Sequence, residues 1–363
     1  MEKEKITIIG LGVIGGSLGM ALSATGKYHV IGVDQDRETL QIARETGAIS
    51  EGTHDYLEAV HEARVVFLAV PIGEIIRVAR EIRGKIGQDT VVTDVGSTKE
   101  TVVTELEKVF QGRFVGGHPM TGSELAGIKG ADEYLFENSI YVLTPTQNTE
   151  RKAVERVKNI VEETGARVIY LTPQEHDLIV AAVSHLPHLL AVTLMNQVGD
   201  FAGEHPATFL LAAGGFRDVT RIAAGHPRMW RDIYQSNCHY ILRASRLFRK
   251  ILSHFEHLLE EGDFEAFVGV MEKARAERQK IPFKLRGFLP AVHEVVVTVP
   301  DRPGTIAEVA GILGDRGINI IDIEILRVRE GEGGSIRLAF ASEEEAIAAY
   351  HALRQAGIIV KRR

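Results

Sequence analysis

Short apolar runs alternate with amphipathic stretches through the first 172 residues. Ile6–Ile9, Val30–Asp34, Val65–Val70, Thr90–Asp94, Ile140–Leu143 and Val168–Leu171 are rich in β-branched residues and largely lack polar alternation. That pattern predicts strands of a parallel sheet buried on both faces. Between them, Arg37–Thr46, Ile72–Ile82 and Glu150–Thr164 read as helices. The rhythm is that of an α/β, doubly wound Rossmann-type domain over residues 1–172.

The rhythm stops near Pro173. From Gln174 to about Lys280 the chain is rich in Ala, Leu, Arg and Glu, and Phe248–Leu259 spaces its apolar residues at three and four. An all-helical domain is predicted over 173–284, punctuated by Gly214, Gly215 and the turn Gly225-His226-Pro227. Two prolines and a glycine make 281–292 read as a linker. Beyond it come the apolar run Val295–Val299, the turn Asp301-Arg302-Pro303-Gly304 and a helix at Thr305–Gly314. Strands near Asn319–Val328 and Ser335–Phe340, a helix Glu343–Ala356 and a strand Ile358–Val360 complete βαββαβ, a small α+β domain over 285–363.

Composition narrows the class. A chain of 363 residues suits two or three domains, and 45% hydrophobic with 25% charged residues excludes a mostly disordered chain. With 42 basic against 49 acidic residues, the net charge of −7 argues against a nucleic-acid or anionic-membrane partner. The single cysteine, Cys238, excludes an internal disulfide and a Cys-built zinc site, and a reducing cytoplasm is expected. The N-terminal run lacks a signal-peptide pattern, and no stretch is expected to reach the roughly 18 apolar residues that span a bilayer.

The clearest chemistry is Gly10-Leu11-Gly12-Val13-Ile14-Gly15, between a predicted strand and a helix. Gly10 permits a tight turn, Gly12 lets backbone approach a pyrophosphate, and Gly15 allows close helix–strand packing. The amides at Val13 and Ile14 open the helix and favour an anion. Asp34 follows Gly15 by 19 residues, where a carboxylate accepts from ribose hydroxyls and repels a 2′-phosphate, so NAD is expected over NADP. Arg37 beside it could tolerate that phosphate. Val70 and Pro71 end a strand on the same side of the sheet.

Other candidates lie beyond strand ends or in the helical region. Ser97 follows Asp94, and His118 sits in Gly116-Gly117-His118-Pro119-Met120, read as a loop. In Ser184-His185-Leu186-Pro187-His188 the proline is expected to kink or break a helix. A metal there lacks carboxylate or cysteine partners, so none is expected. Arg217 and Arg221 fall at i and i+4, with Asp218 three before Arg221, a pattern that suits either a solvated ion pair or a carboxylate clamp. Trp230, the only tryptophan, reads as core packing by default.

GLGVIGGSLG, DVGSTK, GGHPMTGSE, SHLPH and GGFRDVTRIA…MWRDI, in this order, resemble the prephenate dehydrogenase family of tyrosine biosynthesis, and VTVPDRPGTIAEVAGILGDRGINIIDI resembles an ACT domain. The resemblance implies NAD-dependent oxidative decarboxylation of prephenate, with His118 as hydrogen-bond acceptor at the C4 hydroxyl, assisted by Ser97. It implies that Arg221 binds a substrate carboxylate, with Glu124 and Asp218 pairing with that arginine and gating the site. Ser184 and His188 would contact the substrate, and Trp230 would line the pocket. The helical domain would form a homodimer, with Gly214 near the partner's pocket. An L-tyrosine effector is expected near Asp301, Gly304 and Asn319, although Asp301 stands where related sensors often carry asparagine. Arogenate dehydrogenase, another NAD-dependent hydroxyacid or imine dehydrogenase, and a non-catalytic amino-acid sensor are the alternatives.

Overall fold

The computed structural model describes residues 3–122, 125–281, 293–300, 302–326 and 334–362. Glu124, Asp301 and most of the expected linker lie outside the described residues. By internal contacts the chain divides into two units, Met1–Leu285 and Arg286–Arg363.

The first unit begins with β1 (Glu4–Ile9), α1 (Val13–Ala24), β2 (Tyr28–Val33), α2 (Arg37–Glu45), β3 (Glu51–Thr53), α3 (Tyr56–Ala59), β4 (Val65–Leu68) and α4 (Ile72–Ile82). It continues through β5 (Val91–Asp94), α5 (Glu100–Phe110), β6 (Phe114–Pro119), β7 (Ile140–Thr144), α6 (Arg151–Glu162) and β8 (Arg167–Tyr170). The strands form one sheet in the order β3-β2-β1-β4-β5-β6-β7-β8. All neighbours are parallel except β6 and β7. The central strands are apolar on both faces because each face packs a core: Ile6, Ile8, Val30 and Phe67 serve one, and Ile9, Val66, Leu68 and Val92 the other. The chain leaves β1 in opposite directions toward β2 and β4, so the crevice beyond their carboxyl ends is a topological switch point, where ligands of such sheets bind.

Two strands escape the hydrophobic pattern. β3 is a three-residue edge strand, Glu-Gly-Thr, with no apolar signature. β6 carries His118, so the expected loop is corrected to a strand paired antiparallel with β7, His118 opposite Val142. Its glycines conceal it, since Gly has low strand preference, yet packing demands them. A Cβ on Gly116 would stand 2.4 Å from Thr144 Oγ1, and one on Gly117 2.6 Å from the Asp94 carbonyl oxygen. The strand expected to run to Val70 ends at Leu68, which leaves Val70 and Pro71 in the turn before α4.

Helices follow: α7 (Pro173–Val180), a π-helical turn (Ala181–His185), α8 (Leu186–Glu204), α9 (Gly214–Thr220), a 3₁₀ turn (Arg221–Ala224), α10 (Pro227–Ser236), α11 (Cys238–Glu261) and α12 (Phe264–Lys280). Pro187 does not break the helix. It falls in the first turn of α8, where its missing N–H costs little, and the π turn absorbs its ring. Pro173–Glu204 thereby becomes one helical run of 32 residues, long and apolar enough by length and composition to cross a membrane. That corrects the expectation of no such stretch, because the π turn joins two segments that the proline seemed to separate. Ser184, His185 and His188 interrupt its apolar surface. Arg217 and Arg221 do not share an α-helical face either: α9 ends at Thr220, and Arg221 opens the 3₁₀ turn.

The second unit holds β9 (His293–Val299), α13 (Thr305–Gly314), β10 (Asp322–Leu326), β11 (Gly334–Phe340), α14 (Glu343–Gln355) and β12 (Ile359–Arg362). Its antiparallel sheet runs β10-β11-β9-β12. Val295, Val297, Leu338 and Phe340 pack against Val309, Leu313 and Leu353. Asn319 precedes β10 and is exposed, whereas a strand was expected from that position.

The crowding at β6 sets a test. Gly117→Ala drives a methyl against backbone that cannot yield, and should lower stability by about 1–3 kcal/mol. Urea unfolding checks it; a midpoint equal to wild type would contradict the packing described.

Candidate active site

Gly10 adopts φ 96°, and a Cβ there would meet the Ala69 carbonyl oxygen at 2.5 Å. A Cβ on Gly15 would stand 1.9 Å from the Gly10 carbonyl oxygen. Both glycines therefore serve the turn and its packing. Gly12 differs, since nothing lies within 4 Å of where its Cβ would be. It is the N-cap of α1, supplies no side-chain cap, and the first turn of the helix holds no acidic residue. The N–H groups of the first turn of α1 thus lack helical acceptors at the positive end of the helix dipole, beside the open space at Gly12. Asp34 follows β2 directly; its Oδ2 accepts from Leu11 N at 2.9 Å and its Oδ1 from Asp36 N at 3.0 Å. A carboxylate has about four acceptor sites, so capacity remains for two hydroxyls. Arg37 is exposed at the start of α2. The group that fits this cradle is a dinucleotide.

At the end of β5, Asp94 and Lys99 form an ion pair with no solvent exposure on either side chain. Lys99 Nζ also donates to the Gly117 carbonyl at 2.7 Å, and Asp94 Oδ1 accepts from Gly117 N at 3.1 Å. Both backbone polar groups of Gly117 in β6 are therefore held by a single charge pair, next to His118. Burial pulls the Lys99 ammonium below its usual range, against the opposing pull of Asp94. Ser97 lies half-buried in the loop between that pair's two members. Among the described residues its hydroxyl makes no hydrogen bond to His118. Neighbouring Thr98 donates to Ser236 Oγ at 2.9 Å, which ties this loop to α10.

His118 is half-buried, and its Nδ1 lies 2.8 Å from Nε2 of the fully buried His176. His176 Nδ1 lies 2.7 Å from Asp177 Oδ1. Asp177 in turn accepts from the backbone N–H groups of Lys99 at 2.7 Å and Glu100 at 2.9 Å. Burial holds the His118 imidazole well below the ordinary histidine value, reinforced by His176, Lys99 and His185. Such a ring stays neutral near neutral pH and can accept a proton.

Asn237 extends the network, its amide donating to the Asp177 carbonyl at 2.9 Å and lying 3.0 Å from His185 Nδ1. His185 meets Trp230 edge-on, and Trp230 stacks on His188 with ring centroids 3.5 Å apart. His188 Nδ1 lies 2.6 Å from Tyr234 Oη, while its buried Nε2 has no protein partner. Trp230, expected as core, is only half-buried, and a Cβ on Gly225 would come within 2.4 Å of its indole nitrogen. Ser184 is half-buried; Gly214, Asp218 and Arg221 are exposed.

The hydrogen bonds and ring contacts thus link His118 to His188 and Trp230, which the sequence had marked, through His176, Asp177, Asn237 and His185. The signal for the first two was present in Thr172-Pro173-Gln174-Glu175. This is a capping box that starts α7 and sets the adjacent His-Asp pair just inside it.

Three family models match: prephenate dehydrogenase, nucleotide-binding domain, over residues 18–170; prephenate dehydrogenase, dimerization domain, over 172–273; and ACT domain, over 293–355. The prephenate dehydrogenase of Bacillus subtilis is 37% identical over 348 residues, 94% of this chain and 94% of that one. The crystal structure of prephenate dehydrogenase from A. aeolicus in complex with hydroxyphenyl propionate and NAD+ matches with a TM-score of 0.73 at 33% identity, over 78% of this chain and 99% of that one. Synechocystis arogenate dehydrogenase matches with a TM-score of 0.69 at 30% identity, over 77% and 100% of the respective chains.

The buried histidines carry a pH consequence. Burial brings His185 down to about 4 from 6.5, against the pull of Asp177 and with help from His176 and His188. The unfolded chain then binds this proton first, so stability is complete above about pH 6.5 and falls as pH drops toward about 4. The loss attributable to His185 should be on the order of 3 kcal/mol at the lower limit. Urea midpoints across that window should fall less steeply in His185→Gln; parallel slopes would remove His185 as the cause.

Proposed function

The chain belongs to the prephenate dehydrogenase family, and on that premise we propose that it oxidises and decarboxylates prephenate to 4-hydroxyphenylpyruvate with NAD, in tyrosine biosynthesis. The observation that carries the reading is a neutral-prone imidazole, His118, in the last residues of β6, at the carboxyl edge of the sheet whose first turn forms the dinucleotide cradle.

Gly12 and the N–H groups of Val13 and Ile14 receive the pyrophosphate on a turn shaped by Gly10 and Gly15, Asp34 receives the ribose hydroxyls, and Val70 and Pro71 border the cofactor. Bound NAD supplies the hydride acceptor. His118 Nε2 takes the proton of the C4 hydroxyl as the C4 hydride departs, so electron density from that oxygen assists the transfer. Ser97 orients the hydroxyl. The developing ketone is conjugated to the ring carbon bearing the carboxylate. The electron pair of the breaking C–CO2 bond therefore flows through the ring onto the C4 oxygen, which takes back the proton held by His118, and CO2 and a phenol are left. Aromatisation makes the step effectively irreversible.

Arg221 grips a substrate carboxylate through its planar guanidinium, and Glu124 and Asp218 pair with it and gate the entrance. The free Nε2 of His188 and the Ser184 hydroxyl meet the substrate, and Trp230, stacked on His188, forms a wall. The protein works as a cytoplasmic homodimer through its helical region, with Gly214 reaching the partner's pocket. The small C-terminal unit takes L-tyrosine as effector near Asp301, Gly304 and Asn319. Support for this is the backbone at Gly304, left-handed at φ 92°, which opens α13 without a side-chain cap.

The direct test is NAD reduction with prephenate, set beside arogenate and beside NADP. Turnover of prephenate with NAD is expected to dominate, and no NADH from either substrate would refute the reading. Adding L-tyrosine to that assay should inhibit, and Asn319→Ala should relieve the inhibition; equal sensitivity in wild type and variant would move the effector elsewhere. His118→Asn should lower kcat by about 10²–10⁴ with little change in KM, whereas Arg221→Ala should chiefly raise KM for the substrate. Near-wild-type kinetics in both would dismiss these roles.

A further inference from the structure

We propose that His176, backed by Asp177, fixes the tautomer of His118 and so leaves His118 Nε2 as the bare, proton-accepting nitrogen. The proposal rests on the reading of His118 as the base and assigns positioning roles to two buried residues that act through it.

The argument is a count of donors. Asp177 Oδ1 stands 2.7 Å from His176 Nδ1. An ionised carboxylate can only accept, so the proton between them sits on His176 Nδ1. A neutral His176 then offers Nε2 as an acceptor. His118 Nδ1, 2.8 Å away, must be the donor, and a neutral His118 with its proton on Nδ1 keeps a lone pair on Nε2.

The chain cannot swing out of register. His176 is 0% and Asp177 1% exposed. The carboxylate is pinned at both oxygens by Lys99 N, 2.7 Å from Oδ1, and Glu100 N, 2.9 Å from Oδ2. The charged and titratable groups that bear on His118 come from each element around it: Asp94 at the end of β5, Lys99 before α5, His176 and Asp177 on α7, and His185 in the π turn. Only His176 makes a direct hydrogen bond to the ring among the described residues.

The test uses the full-length enzyme with NAD and prephenate. In Asp177→Asn an amide whose Nδ2 takes the place of Oδ1 gives up the bond from Lys99 N, presents N–H to His176 Nδ1 and reverses every donor along the chain, which places a proton on His118 Nε2. The expected result is a fall in kcat of about 10²-fold or more, with KM within about twofold of wild type. Nitrogen-15 spectra of histidine-labelled protein should show His118 Nε2 bare in wild type and protonated in the variant. His176→Gln, whose carbonyl oxygen can accept from His118 Nδ1, should lose less than Asp177→Asn.

A folded Asp177→Asn with kcat within about twofold of wild type would overturn the proposal. So would a wild-type spectrum with His118 Nε2 protonated, a measurement that stands even where a variant misfolds. Loss of kcat in His118→Asn but not in Asp177→Asn would refute the tautomer lock alone. Retained kcat in His118→Asn would instead refute the base beneath it.

Discussion

A lysine and an aspartate without solvent exposure on either side chain organise the centre of this molecule. Taking either charge out of water alone would be prohibitive, and removing one partner of such a pair costs about 3–5 kcal/mol. The pair therefore has to stay closed, and closing it fixes three segments of chain. Asp94 ends β5, Lys99 leads into α5, and the backbone of Gly117 in β6 is held by both, through its N–H at 3.1 Å and its carbonyl at 2.7 Å. Regular pairing between β5 and β6 covers only Val92 with Phe114 and Thr93 with Val115. Beyond that point the ion pair takes over from the sheet ladder, and His118 is the next residue.

The same loop is anchored from its other side by Asp177, which accepts from Lys99 N and Glu100 N. The helical region and the sheet thus share one polar core. His188 Nε2 and Asn237 Oδ1 are buried and unanswered. An unpaired buried acceptor or donor costs about 1–3 kcal/mol, and at His188 a substrate group would recover it. Burial also holds His118 below its usual range. One enclosure therefore sets both the geometry around His118 and its protonation state.

The sheet was legible because a strand buried on both faces is largely apolar, and β1, β2, β4, β5 and β7 each carry an apolar, β-branched run. β6 was not legible. Its glycines carry no strand signal, and only contacts from α5, β5 and β7 reveal why side chains are excluded there. The glycine cradle and Asp34 could be read locally, since their spacing is the geometry. For His176 and Asp177 the local signal was only the capping box that starts their helix, and their role comes from an imidazole 58 residues before His176 in the chain. The π turn was hidden likewise: proline rules describe an α-helix and are silent on how a wider turn accommodates the ring. Arg221 was marked by pattern, but helical spacing placed it on an α-helical face that the 3₁₀ turn does not continue.

The central claim is that His118 is a base kept neutral by its enclosure, and the pH dependence of kcat/KM for prephenate addresses it most directly. A neutral acceptor is active above its own pKa, so kcat/KM should rise with pH along an acidic limb and then level off. Because burial, His176, Lys99 and His185 all push His118 the same way, that limb should lie well below the ordinary histidine value of 6.5 and disappear in His118→Asn. A rise centred at or above 6.5, or the same limb surviving in His118→Asn, would contradict the account.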